Sequence, residues 1–201
     1  MIIAGCVLCG LIYSNDGDGN YYHKVAVGCL AKGWNPLRES SQLFASRFFN
    51  APSVDFQAIW VDHYSKASWM IAAAAYAILG NIECGKSYNL LAAFAFFCML
   101  EPFFEKIGLK KNISTFLAIL TVLNPIVNCQ LFTYYVDGFL FCMLGILELS
   151  LIELTVNANE QNTPFTWIVM SSAMIILGNI KFTGLMYGGL LCVLFFVIIS
   201  I

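Results

Sequence analysis

The residues best suited to chemistry are concentrated in one polar stretch, Asn15 to His23, with the sequence NDGDGNYYH. This stretch directly follows the first apolar run of the chain, Ile2 to Tyr13. A carboxylate on a turn at a membrane surface can remove the proton of a hydroxyl group as a general base. Asp16 and Asp18 are therefore the candidate bases, and the aromatic and imidazole groups that follow them are candidate binding groups.

Two other interpretations of this stretch need to be weighed. Asp, Asn and Gly are ordinary turn residues, so the segment can also be a solvated turn without chemistry. The sequence DGDG resembles the start of an EF-hand calcium loop, but the acidic residue that such a loop needs further on is missing. On these residues alone, the turn and the catalytic base both stay open.

The composition indicates that lipid is the solvent for much of the surface. The chain has 201 residues, of which 60% are hydrophobic and 11% are charged, whereas soluble domains carry about 25% charged residues. From Gly138 to Ile201 the charged residues are only Glu148, Glu153, Glu160 and Lys181. So little polar surface indicates a membrane protein. The net charge of −2 and the lack of a basic stripe argue against a nucleic-acid partner.

Apolar windows of helical length recur along the chain, without the period-two alternation of a β-barrel. They are Ile2–Tyr13, Ala67–Leu79, Tyr88–Phe104, Ser114–Phe132, Gly138–Val156, Phe165–Ile180 and Phe182–Ile201. They predict an all-α fold, a multispanning transmembrane helical bundle. The polar stretch Asn157 to Pro164 predicts a turn.

The segment from about residue 14 to residue 65 is predicted to be an external loop that lies along the membrane. Weak helical signals occur at Tyr21–Ala31 and Ser40–Phe49. The second signal is expected to place Leu43, Phe44 and Phe48 on one face, as in an amphipathic helix at the bilayer interface.

The orientation in the membrane depends on Ala67–Leu79, which is too short for a comfortable span. The lysines between Lys106 and Lys111 form the densest basic cluster and favour the cytoplasmic side. We therefore expect Ala67–Leu79 to dip into the bilayer, which leaves the long loop outside. The residues that would then share the outer rim are Asp16, Asp18, His23, His63, Lys66, Glu83, Lys86, Tyr134, Tyr135, Asp137 and Lys181.

The cysteines do not predict a metal site. Cys6 and Cys9 form a CxxC pair, but no second pair or histidine follows at ligand spacing. Most cysteines lie inside apolar runs, where they behave as small hydrophobic residues. We predict no cofactor, and a dependence on a divalent metal stays open.

The order of these features resembles the GT-C superfamily of membrane glycosyltransferases, which includes protein O-mannosyltransferases and aminoarabinose transferases. An apolar span is followed by Asp-x-x-x-Tyr-His, by Gly33-Trp34-Asn35-Pro36, and by His63-Tyr64-Ser65-Lys66 before a short apolar helix. The resemblance implies an inverting transfer of sugar from a polyprenyl-phosphate donor to a glycan, lipid or protein acceptor. It also implies a multi-pass protein of a bacterial-type plasma membrane. Residues 1–201 would be the N-terminal part of such an enzyme, with the C-terminal region missing.

The resemblance also assigns roles to single residues. Asp18 matches the essential acidic residue of the first external loop, with Asp16 as the second choice. Ser65 stands where relatives usually carry a proline, which weakens the match at that corner. Cations near the departing lipid phosphate would stabilise its charge. The predicted substrate-binding residues are Tyr22, His23, His63, Lys66, Lys86, Tyr134, Tyr135, Asp137 and Lys181.

Several of these assignments have simpler alternatives. Tyr134, Tyr135 and Asp137 are equally consistent with interfacial tyrosines and a helix cap, and Lys181 with a lysine that snorkels to the headgroups. For the whole chain, the alternatives are a transporter and a non-catalytic component of envelope assembly. The transporter would use broken helices at Asn124-Pro125 and Gly178-Asn179.

Overall fold

The computed structural model describes residues 2–156 and 163–200, and helices are the regular secondary structure in this part of the chain. The helices are α1 (Ile2–Gly10), α2 (Lys24–Ala31), α3 (Ser41–Phe49), α4 (Ala58–His63), α5 (Ala67–Leu79), α6 (Ser87–Lys106), α7 (Lys111–Val122), α8 (Pro125–Gln130), α9 (Asp137–Val156), α10 (Thr163–Gly178) and α11 (Phe182–Ser200). A π-helical turn, Gly19–His23, leads into α2, and a 3-10 turn, Ile82–Lys86, leads into α6. The predicted all-α class is confirmed for these residues. The turn predicted at residues 157–164 lies mostly outside them.

Three helical segments are long and apolar enough to cross a membrane. They are Ile82–Lys106, Asp137–Val156 and Phe182–Ser200, with 25, 20 and 19 residues. A helix needs about 20 apolar residues to cross a hydrocarbon core of about 30 Å. Three further apolar helices are shorter, namely Ala67–Leu79, Lys111–Val122 and Pro164–Gly178. The structure therefore has three candidate spans among the described residues.

Helix α5 has the bounds that its apolar window predicts. It contains 13 residues and ends where Gly80 adopts a left-handed conformation, with φ of 71°. At 1.5 Å per residue, such a helix rises about 20 Å, which is less than the thickness of the hydrocarbon core. Helix α5 is therefore shorter than a full span, and the dip into the bilayer stays a prediction.

The window Ser114–Phe132 does not form one helix, since α7 ends at Val122 and α8 begins at Pro125. Proline has no backbone N–H and cannot continue the hydrogen bonding of a preceding turn. The Asn124 side chain caps the new helix by accepting hydrogen bonds from the backbone N–H of Ile126 at 3.0 Å and of Val127 at 3.3 Å. Backbone N–H groups that the break leaves without a helical partner are therefore hydrogen-bonded locally, by Asn124.

The long polar segment between α1 and α5 contains three short helices, of which the sequence predicts two. Ser40 caps α3 by accepting a hydrogen bond from the backbone N–H of Leu43 at 3.3 Å. The predicted common face is partly wrong. Phe44 is buried and stacks on Phe48, with 5.9 Å between ring centroids, whereas Leu43 is 59% exposed. Phe44 and Phe48 both line the cavity between α2 and α3, whereas Leu43 does not line it.

The described chain divides into two compact units. The first contains residues 1–91 and 129–136, and the second contains residues 92–128 and 137–201. In the first unit, side chains of early α6 hold the corner before α9. The Tyr88 hydroxyl donates a hydrogen bond to the Tyr134 carbonyl at 2.6 Å. The Asn89 amide donates to the carbonyls of Thr133 and Tyr135, both at 3.0 Å. These bonds fix the backbone of the Tyr134–Tyr135 corner.

The second unit is built around α9, which packs against α10 and α11. Small residues allow the helices to approach closely at one point. A Cβ on Gly184 would lie 2.5 Å from the Leu177 carbonyl oxygen and 2.8 Å from the Leu140 side chain. Such small residues are typical of helix contacts in membranes.

Candidate functional site

The two aspartates of the Asn15–His23 stretch have different environments. Asp16 accepts hydrogen bonds from the Ser14 hydroxyl and from the Gly19 backbone N–H, so it caps the π-helical turn. Asp18 is exposed and accepts one hydrogen bond, from the Tyr22 hydroxyl at 3.0 Å. The carboxylate of Asp16 therefore acts in local structure, and that of Asp18 remains accessible.

Asp18 lies at a cavity of about 320 Å³ in the first unit. The lining residues are Asp18, Tyr21, Tyr22, Gln57 and Trp60. Asp18 and the π-helical turn that follows it, with both tyrosines, form one wall, and α4 with the residue before it forms the other. The backbone N–H of Gln57 donates to the Tyr21 carbonyl at 3.5 Å and joins the two walls. A carboxylate, an amide and aromatic rings are thus gathered around one small volume.

Three cavity residues, Tyr21, Gln57 and Trp60, are not among the binding residues predicted from the sequence. Trp60 is 53% exposed, and its ring centroid lies 6.2 Å from that of Tyr22. The available signal in the sequence was Trp60, a large aromatic residue two positions before the carboxylate of Asp62. It was missed because the short helix α4 has too few residues to show an apolar period.

Tyr22 lines the cavity and also packs in an aromatic core formed with His23, Tyr64 and Trp69. Its ring lies 4.3 Å from that of His23 and 5.9 Å from that of Tyr64. Burial, followed by the hydrogen bond to Asp18, raises the pKa of the Tyr22 hydroxyl above its usual value. The phenol therefore stays protonated at neutral pH and continues to donate its hydrogen bond to Asp18.

The two histidines differ in accessibility. His23 is 1% exposed and accepts a hydrogen bond at Nδ1 from the Trp69 indole at 2.6 Å. This bond assigns the remaining ring proton to Nε2. His63 is exposed at the end of α4, and its Nδ1 lies 2.9 Å from the Ile59 carbonyl. His23 therefore positions the aromatic core, and His63 is the imidazole that a ligand can reach.

Lys66 is packed among aromatic rings. Its ammonium group lies 5.0 Å from the Trp69 ring centroid and 5.9 Å from that of Trp34. It donates hydrogen bonds to the carbonyls of Asp62, at 3.1 Å, and of Tyr64. Burial lowers the pKa of Lys66 below its usual value, and the charge of Asp62 only partly opposes this.

The lowered pKa of Lys66 predicts a signal in tryptophan fluorescence. As pH rises, the ammonium loses its proton below the pH at which an ordinary lysine does, and the cation–π contacts with Trp34 and Trp69 are lost. Between its two pKa values the unfolded chain binds more protons, so the free energy of unfolding rises with pH in that window. We expect a fluorescence transition below the usual lysine pKa that disappears in Lys66→Met. A transition that persists unchanged in Lys66→Met would assign it to another group.

A buried ion cluster lies next to the candidate bases. Glu83 accepts hydrogen bonds from Lys24 and from Lys86, both at 2.6 Å, and from the Ser14 backbone N–H at 3.1 Å. Lys24 also donates to the Ser14 carbonyl at 2.7 Å. This cluster connects the start of α6 to the turn that carries Asp16. The sequence places Glu83 on the predicted rim but does not reveal the pairing.

Two predicted binding residues are fully buried, and we leave them out of the candidate site. Lys86 has 0% exposure and also donates to the Ile12 carbonyl. Tyr134 is likewise 0% exposed, and its hydroxyl donates to the Ile82 carbonyl. Both side chains donate hydrogen bonds to groups within the protein, and neither is accessible to a substrate.

The remaining predicted residues lie in different units. Tyr135 belongs to the first unit, and burial, followed by the charges of Asp18 and Asp16, raises the pKa of its hydroxyl above the usual value. Asp137 and Lys181 belong to the second unit, where they form an ion pair at 2.7 Å. The pair holds the start of α9 to the residue before α11. We therefore describe it apart from the cavity.

Among residues 2–156 and 163–200, no group of three or more His, Cys, Asp or Glu side chains is arranged to hold a metal ion. Comparison with known proteins gives no match for this chain among family models, curated proteins or solved structures. The site is therefore interpreted from its own geometry.

Proposed function

We propose that this chain is a multispanning membrane glycosyltransferase of the GT-C type. It moves a sugar from a polyprenyl-phosphate donor to a glycan, lipid or protein acceptor at the external face of a bacterial-type plasma membrane. The observation that carries this proposal is the cavity in which Asp18 stands beside Tyr21, Tyr22, Gln57 and Trp60. The three candidate spans support the membrane location.

The cavity has the chemical groups that a sugar requires. The apolar faces of a sugar ring pack well on aromatic side chains, which offer large area and a polar tip. The Gln57 amide can both donate and accept hydrogen bonds to hydroxyl groups. Such a mixture of aromatic walls with a few polar groups is typical of small-molecule sites.

In the proposed reaction, Asp18 acts as the general base. Its Oδ2 atom is held by the Tyr22 hydroxyl, which leaves Oδ1 to accept the proton of the acceptor hydroxyl. The acceptor oxygen forms a bond to the anomeric carbon while the bond from that carbon to the phosphate oxygen breaks. The electron pair of the broken bond leaves with the polyprenyl phosphate. Attack from the side opposite the leaving group inverts the anomeric centre.

The departing phosphate gains negative charge, which nearby cations stabilise. His63 and Lys66 lie at and just beyond the end of α4, the helix that carries Trp60 to the cavity. We assign the phosphate to this end of α4. Lys66 keeps its hydrogen bonds to backbone carbonyls, so His63 is the more accessible of the two side chains.

Transport is the alternative that the helix breaks favour. The break between α7 and α8 is present, but Asn124 caps it through its own hydrogen bonds. At the second break, the Asn179 side chain donates to the Ile175 carbonyl at 2.9 Å. Discontinuous helices that bind a substrate leave backbone groups for it. Because these breaks use their polar groups locally, we favour the enzyme.

The proposal is tested by sugar transfer from a panel of radiolabelled polyprenyl-phosphate sugars, in membranes from cells that express the full chain. We expect labelled product with at least one donor, and none in matched membranes without the protein. Absence of transfer from every donor, with the protein present at normal level, would overturn the enzyme in favour of a transporter or an assembly component.

A further inference from the structure

A second and larger cavity in the first unit has mainly apolar walls and a different set of lining residues from the Asp18 cavity. It is a groove of about 480 Å³ between α2 and α3. Val25 of α2 lines one side, and Phe44 and Phe48 of α3 line the other. None of the residues that line the Asp18 cavity lines this groove. Its volume lies within the range of about 300–1,000 Å³ of ligand sites.

The groove owes part of its space to a glycine. Gly28 lies in the middle of α2 and lines the groove, and a Cβ built on it would meet no atom within 4 Å. A glycine inside a helix destabilises it by about 1 kcal/mol relative to alanine. The space beside α2 is therefore kept open at a cost in helix stability.

Two oppositely charged side chains line the same groove. Lys32 and Asp55 are both exposed, and within the described chain neither side chain has a hydrogen-bond or ion-pair partner. Lys24 also lines the groove, but its ammonium is held by Glu83 and by the Ser14 carbonyl. The groove thus combines apolar walls with one available cation and one available anion.

We propose that this groove binds a zwitterionic phospholipid of the bilayer with a primary ammonium headgroup. One acyl chain lies between α2 and α3, the phosphate contacts Lys32, and the ammonium contacts Asp55. Phe48 and Phe49 line the groove and are 50% and 63% exposed, as are the apolar residues of an amphipathic helix that lies at a bilayer interface. The inference rests on the membrane location proposed above and does not depend on sugar transfer.

The chain-binding part is tested by photolabelling. The purified full chain is placed in vesicles of phosphatidylethanolamine and phosphatidylglycerol that contain a trace of phosphatidylethanolamine with a diazirine in its acyl chain. Gly28→Leu fills the groove with a side chain that excludes the acyl chain, so we expect labelling of α2 and α3 to fall about tenfold or more. Gly189→Leu is the matched control, because Gly189 is also helical and a Cβ there also meets nothing within 4 Å.

The headgroup part is tested with the same probe chain on phosphatidylglycerol, which has the phosphate but no ammonium. Asp55→Asn should reduce the preference for phosphatidylethanolamine about threefold to fivefold, the size of one exposed ion pair. Lys32→Met should weaken labelling by both lipids. Equal labelling of Gly28→Leu and Gly189→Leu, or no headgroup preference in the unchanged protein, would overturn the inference. Displacement of the probe by polyprenyl phosphate at a lower concentration than by phosphatidylethanolamine would also overturn the inference. Sugar transfer measured in Gly28→Leu separates this result from the proposed enzyme activity.

Discussion

Replacing Glu83 with glutamine is expected to destabilise the protein by about 3–5 kcal/mol, the usual cost of breaking a buried ion pair. Glu83 neutralises two ammonium groups at 2.6 Å, those of Lys24 and Lys86. Their side chains are 11% and 0% exposed, so water cannot replace the lost carboxylate. Unfolding by denaturant in detergent micelles, followed by circular dichroism, measures the loss.

The matched control is Glu153→Gln, which removes a carboxylate paired with Lys106 at 2.9 Å. That pair is 42% and 34% exposed, and exposed pairs contribute about 0–1 kcal/mol. Adding Lys86→Met to Glu83→Gln should recover part of the stability, because only the Lys24 charge then stays unpaired by a carboxylate. A loss in Glu83→Gln no larger than in Glu153→Gln would show that the cluster does not hold the first unit together.

The helices could be predicted from the sequence where apolar residues dominate over a long window. The window Ala67–Leu79 is helix α5 without change of bounds, and Gly138–Val156 is α9 apart from one residue. Helix α4 was missed because six residues give almost two turns, too few for an apolar period. Local pattern thus identifies long helices and fails for short ones in a polar segment.

The candidate site could be predicted only in part, for a related reason. The type and spacing of residues in the Asn15–His23 stretch identify Asp18 and Tyr22 directly. The pairing of Lys24 with Glu83 spans 59 positions, and the meeting of Asp18 with Trp60 also depends on how distant segments pack. No local pattern contains that information. The same limit explains why Lys86 looked accessible in the sequence and is buried in the fold.

Replacing Asp18 with asparagine is expected to lower sugar transfer about 10²–10⁴-fold, the contribution of a general base. Asparagine keeps the size of the side chain and can still accept the hydrogen bond of Tyr22, but its amide cannot take the acceptor's proton. Because Asp18 is exposed and asparagine can keep the side-chain hydrogen bond from Tyr22, the folded state should be unaffected. Transfer rate and the yield of folded protein are measured on the same membranes.

Asp16→Asn separates catalysis from local structure. Asp16 accepts hydrogen bonds from the Ser14 hydroxyl and the Gly19 backbone N–H. Asparagine keeps one acceptor oxygen for the cap and removes the negative charge at the start of the helical turn, which is worth about 0.3–1 kcal/mol. We expect reduced stability with transfer largely retained per folded molecule. The opposite result, in which Asp16→Asn abolishes transfer and Asp18→Asn does not, would move the base to Asp16.

Tyr22→Phe tests whether the phenol positions the base. The ring that packs against His23 and Tyr64 is kept, and only the hydrogen bond to Asp18 is lost. One hydrogen bond to a charged group contributes about 1.5–3 kcal/mol, so transfer should fall by more than tenfold while Asp18 remains able to act. If Tyr22→Phe lowers transfer in the otherwise unchanged protein but causes no further loss in Asp18→Asn, the two residues act on one step. Equal effects of Tyr22→Phe in both backgrounds would show that the phenol acts independently of Asp18.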